Sequence, residues 1–154
     1  MGRGILPNTG RAPVRRRLMT FQPIQSRERA KQLVSFDDMD LGPRLWPTDF
    51  DAAIEWKNSA WLLFEVKHGD KAVPLGQRLA LERFVQDVWR GGKKAVAAVV
   101  EHYIADPSID VRLADCQVRE VYVGGEFKWR GTRRRMTARE LTDAYIGYAG
   151  RRCA

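Results

Sequence analysis

Glu65 and Lys67 close a run, Ala60 to Lys67, whose other members are almost all apolar. As a strand it places Trp61, Leu63, Glu65 and Lys67 on one face and Leu62, Phe64 and Val66 on the other. A strand apolar on both faces reads as central and covered. A lone carboxylate there costs several kcal/mol, roughly, unless it is paired or binds a cation. Upstream, Asp49 to Trp56 alternates, with Asp49, Asp51, Ala53 and Glu55 on one face and Phe50, Ala52, Ile54 and Trp56 on the other. If Lys57-Asn58-Ser59 is a three-residue loop, Trp56 faces Ala60. Asp51 then lies across from Glu65, and Asp49 across from Lys67. Like charges in opposed positions destabilise a sheet, and a divalent cation between them removes that penalty. Hard oxygen ligands select Mg²⁺ or Mn²⁺ over zinc. A two-residue loop puts Asp51 on the other face, so the cation reading needs the odd loop length or a bulge. Lys67 beside such a cation can orient a water or stabilise charge developing on a phosphate.

These groups need elements to hold them. Pro74-Leu75-Gly76 opens a helix that Gly91-Gly92 ends, with Leu81, Phe84, Val85, Val88 and Trp89 on its buried face. Gln77 lies four residues before Leu81 and eight before Val85, so it points along that face and needs polar partners. Lys67, a water or a substrate phosphate would each serve. Lys94 to Tyr103 reads as an interior strand parallel to the previous one across the helix. Cys116 to Val123 and Glu126 to Arg130 form a hairpin around Gly124-Gly125. Thr137-Ala138-Arg139-Glu140 is a capping box for a last helix carrying Leu141, Ala144, Tyr145 and Tyr148. Before the hairpin, Ser26 caps a helix to about Ser35 with Ala30, Leu33 and Val34 inward. Short strands fit near Leu18 to Phe21 and Arg44 to Trp46. The order predicts an α/β fold, a mixed central sheet flanked by helices.

Asp51, then Glu65-Val66-Lys67, then Gln77 on the next helix, resemble the PD-(D/E)xK nuclease superfamily. The likeness is greatest to members with a glutamine after the E-x-K strand, such as RecB-like domains, archaeal Holliday junction resolvases and small phage-encoded nucleases. It covers residues 26 to 103. The resemblance implies a restriction-endonuclease-like core, αβββαβ, and Mg²⁺- or Mn²⁺-dependent hydrolysis of phosphodiester bonds in DNA, including branched or phage DNA. It assigns Asp51 and Glu65 as metal ligands, Lys67 as the catalytic lysine and Gln77 as the helix glutamine. Glu28 stands where some relatives carry an extra carboxylate. The sequence Pro47-Thr48-Asp49-Phe50-Asp51 separates the proline from Asp51, which leaves Asp49 as a rival first ligand. The setting implied is the cytoplasm of a bacterial or phage-infected cell.

Composition sets the surroundings. The 154 residues carry net charge +8, unevenly spread. Residues 1–35 are net +7, residues 36–125 net −4 and residues 126–154 net +5. A basic arm (residues 1–22) precedes one domain (residues 23–150). Its core spans residues 26–103, and residues 116–149 add the C-terminal hairpin and helix. Arg15-Arg16-Arg17 and Arg133-Arg134-Arg135 are the candidate DNA-phosphate contacts, and Trp129 between Lys128 and Arg130 is the aromatic placed to stack on a base. Two cysteines, Cys116 and Cys153, make no disulfide framework. With His68 and His102 they lack zinc-finger spacing. No apolar run reaches 18 residues, so no membrane partner is expected. The N-terminus lacks a secretory core, with organelle import the alternative for an arm free of acids up to Glu28. So small a nuclease core cannot easily grip two strands, which points to a homodimer. The rival reading is a non-catalytic nucleic-acid-binding protein on the same fold.

Overall fold

Alternating and apolar strands come first, joined by a turn that sets their register. The structure, a computed structural model, describes residues 48 to 151. The helix from Ser26, the strands near residues 18–21 and 44–46, Glu28 and Arg15 to Arg17 lie outside the described residues. Strand β1 (Ala52–Trp56) and β2 (Ala60–His68) pair antiparallel, with Trp56 opposite Ala60 and Ala52 opposite Phe64. Lys57 and Asn58 both adopt left-handed backbone, φ 48° and 55°. The Ser59 N–H donates to the Trp56 carbonyl at 2.9 Å. The loop therefore has three residues, and the odd length puts Asp51 on the Glu65 side of the sheet.

Helix α1 (Leu75–Arg90) crosses to β3 (Lys94–His102), which lies parallel to β2 with Lys67 beside Glu101. A short 3-10 turn (Leu113–Asp115) leads into β4 (Gln117–Val123), β5 (Trp129–Gly131) and α2 (Ala138–Gly150). The five strands form one mixed sheet in the order β1-β2-β3-β4-β5. A bulge at Arg119 interrupts the β3–β4 ladder. Among the described residues the fold is α/β, with a five-stranded mixed open sheet and two helices. No helix among the described residues is long and apolar enough to cross a membrane.

Each face of the sheet has its own core. Leu63, Ala95, Ala97 and Tyr122 meet Leu81 and Val85 of α1, joined by Phe50, Trp61 and Phe84. Leu62, Phe64, Val96, Ala98, Val100 and Val118 meet Ala138, Tyr145 and Ala149 of α2. Thr137 forms the expected capping box with Glu140.

Four side chains sit differently from expectation. Trp89 is 45% exposed. It occupies the last turn of α1 and lies over Gly124 and Gly125, where an added Cβ would come within 2.8 and 2.9 Å of it. Trp129 is half-buried instead of free to stack on a base. Its indole donates to Glu82 Oε1 at 2.6 Å, and the Arg78 guanidinium covers its ring at 4.5 Å. On α2 the inward face is Ala138, Leu141, Tyr145 and Ala149, leaving Ala144 and Tyr148 exposed. The start of that helix is anchored by the Ala138 N–H, which donates to the Cys116 carbonyl at 2.8 Å.

Candidate active site

Strand β2 delivers Glu65 to a position where it is 1% exposed, walled by the apolar neighbours that make β2 central. Its Oε1 lies 2.6 Å from Lys67 Nζ. Its Oε2 is buried and has no hydrogen-bond partner. Burial pushes the Glu65 carboxyl above its ordinary range. The Lys67 ammonium opposes that rise, and the charges of Asp51 and Asp49 reinforce it.

Lys67 reaches further than Glu65. Its Nζ donates to Gln77 Oε1 at 3.2 Å, and Gln77 Nε2 donates to Asp49 Oδ1 at 3.4 Å. The first turn of α1 thus aims Gln77 at the end of β2. Asp51 precedes β1 and is tied to β2, since its Oδ2 accepts the Val66 N–H at 2.6 Å. That bond holds the Asp51 carboxylate across from Glu65 beyond the last ladder pair. One cluster therefore contains Asp49, Asp51, Glu65, Lys67 and Gln77, assembled from one strand, the segment before β1 and a helix.

Among the described residues, no group of three His, Cys, Asp or Glu side chains is close enough to hold a metal. A magnesium ion asks for less, because it binds through one or two carboxylates and keeps several waters or substrate phosphate oxygens. The unpartnered Glu65 Oε2 beside a second carboxylate fits that demand. His68 and His102 make an edge-to-face ring pair at 5.2 Å on the opposite face. His102 Nδ1 there accepts the Ile104 N–H at 3.3 Å.

Compared with protein families, with curated proteins and with solved structures, the chain matches none.

Sequence reasoning passed over a second polar layer on the α1 side. Arg78 forms a two-pronged pair with Glu120, at 3.0 and 2.8 Å. Arg119, on the bulge, donates to the Lys71 carbonyl at 3.0 Å and stands 4.0 Å from Glu101. Glu101 had a readable signal: it ends an apolar strand just as Lys67 does, and the parallel register sets the two side by side. The bulge had none. Arg133, Arg134 and Arg135 are exposed in the connection between β5 and α2.

Proposed function

We propose that the protein is a Mg²⁺-dependent nuclease that hydrolyses phosphodiester bonds in DNA, on a core of the restriction-endonuclease type. The observation that carries the reading is the buried, unpartnered Glu65 oxygen beside Asp51, with Lys67 held between Glu65 and Gln77. Structural ion pairs fill both carboxylate oxygens where they can, because an unpaired buried one is costly. Here one is left without a partner near the end of a strand, with the charge of a second carboxylate, Asp51, acting on it.

Asp51 and Glu65 would hold the cation, with Asp49 a further carboxylate whose charge reaches Glu65. When bound, Mg²⁺ polarises a phosphoryl oxygen and lowers the pKa of water. In hydrolysis, water adds at phosphorus, one P–O ester bond breaks, and the departing alkoxide takes a proton from solvent. Lys67 presents its ammonium to the phosphate, where negative charge grows as that bond breaks. Gln77 accepts from Lys67 and so fixes its rotamer, and Asp49 in turn fixes the amide. A lysine held from two sides needs little reorganisation when substrate arrives.

The test is cleavage of plasmid, branched and single-stranded DNA with Mg²⁺ or Mn²⁺. Glu65→Ala and Lys67→Ala are each expected to lower the rate at least 100-fold, in the range of a lost acid-base group, about 10²–10⁴. Full activity in either variant would sink the assignment. The close Glu65–Lys67 pair, with no third ligand among the described residues, favours a second reading, a nucleic-acid-binding protein without catalysis. It expects salt-sensitive DNA binding with no cleavage and no Mn²⁺ binding.

A further inference from the structure

At the C-terminal end of β3 a cleft of about 690 Å³ opens, lined by Glu101, Tyr103, Thr132, Arg133, Arg134 and Arg135 among others. It starts one strand away from Lys67, since Lys67 pairs with Glu101 and Glu101 with Gln117. Adjacent strands are about 4.8 Å apart, so the proposed site and the cleft share one end of the sheet.

The three arginines sit on a loop fastened at both ends. Thr132 Oγ1 donates to the Val118 carbonyl at 3.3 Å, and the Val118 N–H donates to the Met136 carbonyl at 2.9 Å. Thr137 then bridges to Gln117. The loop between these ties projects three successive guanidinium groups, none of which pairs with a carboxylate among the described residues. Glu101, the carboxylate lining this cleft, is 4.0 Å from Arg119 and accepts the Tyr103 hydroxyl at 3.3 Å. That bond tethers Tyr103, yet the residue stays 68% exposed. Tyr103 also borders Gly69, where an added Cβ would lie 3.7 Å from its Cε1.

Unpaired guanidinium groups on a fastened loop are a phosphate grip with little ordering cost. An exposed aromatic ring beside them is a platform for an unstacked base, a surface a duplex does not offer because its bases are stacked on each other. We propose that the Arg133–Arg135 loop and Tyr103 bind a single-stranded segment of the DNA substrate, so that the preferred substrate carries unpaired nucleotides next to the cut. This deepens the reading above: it needs DNA as the partner but does not need cleavage.

The experiment is fluorescence anisotropy on the full chain in EDTA, with a single-stranded oligonucleotide and a duplex of equal length. The single strand is expected to bind at least 5-fold tighter. Tyr103→Ala should weaken single-strand binding at least 5-fold and leave duplex binding unchanged, while Tyr103→Phe keeps it. Arg133→Ala/Arg134→Ala/Arg135→Ala should lower the salt slope for single strands by about 2, at about 0.7 per phosphate contact. Circular dichroism of each variant checks that it is folded. Equal binding of duplex and single strand, or an unchanged Tyr103→Ala variant, would overturn the inference alone. Absence of DNA binding would overturn it together with the nuclease reading. Single-strand preference without metal-dependent cleavage would support the inference and overturn the nuclease.

Discussion

Glu65 is in conflict with its own surroundings. Burial and the nearby Asp51 and Asp49 raise its carboxyl, and only Lys67 offsets this. A folded-state value above the ordinary 4.5 has a definite sign. Its contribution to stability is greatest below the ordinary value and is lost as pH rises through the raised folded value. Glu65→Gln removes a buried charge and its repulsion with both aspartates, which together outweigh the lost Lys67 attraction, so the variant is expected to melt higher than the parent at pH 8. The gain should shrink toward pH 4. Thermal melts at the two pH values check this, and a variant less stable at pH 8 contradicts it. Gln77 makes a smaller, separable contribution. If it fixes Lys67, Gln77→Ala should lower kcat about 10-fold with KM unchanged, on the scale of lost positioning. A rise in KM at constant kcat would instead place Gln77 on the substrate.

Helix α1 is the element that joins core to site. Its first turn sends Gln77 to Lys67 and Arg78 to Glu120, while Leu81 and Val85, one and two turns further on, are fully buried. Leu81→Ala should therefore cost about 2–5 kcal/mol by leaving a cavity, read by denaturant unfolding. Its other end depends on the β4–β5 turn. Gly125 has φ +86°, and an added Cβ would meet the Trp89 indole at 2.9 Å. Gly125→Ala is expected to cost more than about 1 kcal/mol from backbone strain and contact together. Trp89→Ala should recover the contact share, so a double-mutant cycle should show coupling, and strict additivity would deny it.

For the whole molecule, the charge split has a physical reading. The net −4 of residues 36–125 includes the carboxylates gathered at one end of the sheet, and the net +5 of residues 126–154 includes the fastened arginine loop. Mn²⁺ binding at the carboxylates should raise the melting temperature of the parent protein by mass action. It should leave a variant lacking both Asp51 and Glu65 carboxylates unmoved, and an equal rise in the two would remove the site. Replacing Arg15, Arg16 and Arg17 by alanine should lower the salt slope for duplex binding by up to about 3, near 0.9 per phosphate contact. An unchanged slope would exclude those arginines from the backbone contacts.

Much of the framework was local and therefore legible. Alternation around Asp51, the apolar run ending in Glu65-Val66-Lys67, the helix stopped at Gly91 and the Thr137 capping box each depend on near neighbours in the chain. Nearest-neighbour physics is what periodicity reports. The odd turn length also made the Asp51–Glu65 juxtaposition derivable. The tertiary structure alone decided the rest. It tied Asp51 to the Val66 N–H and Asp49 to Gln77, and it covered Trp129 with Arg78 while exposing Trp89. It also set Tyr103 and the Arg133–Arg135 loop around one cleft. Those outcomes depend on groups 15 to 30 or more residues apart, on one bulge at Arg119, and on how α2 is anchored. A local pattern carries no information about such distances, because they are set by how whole elements pack.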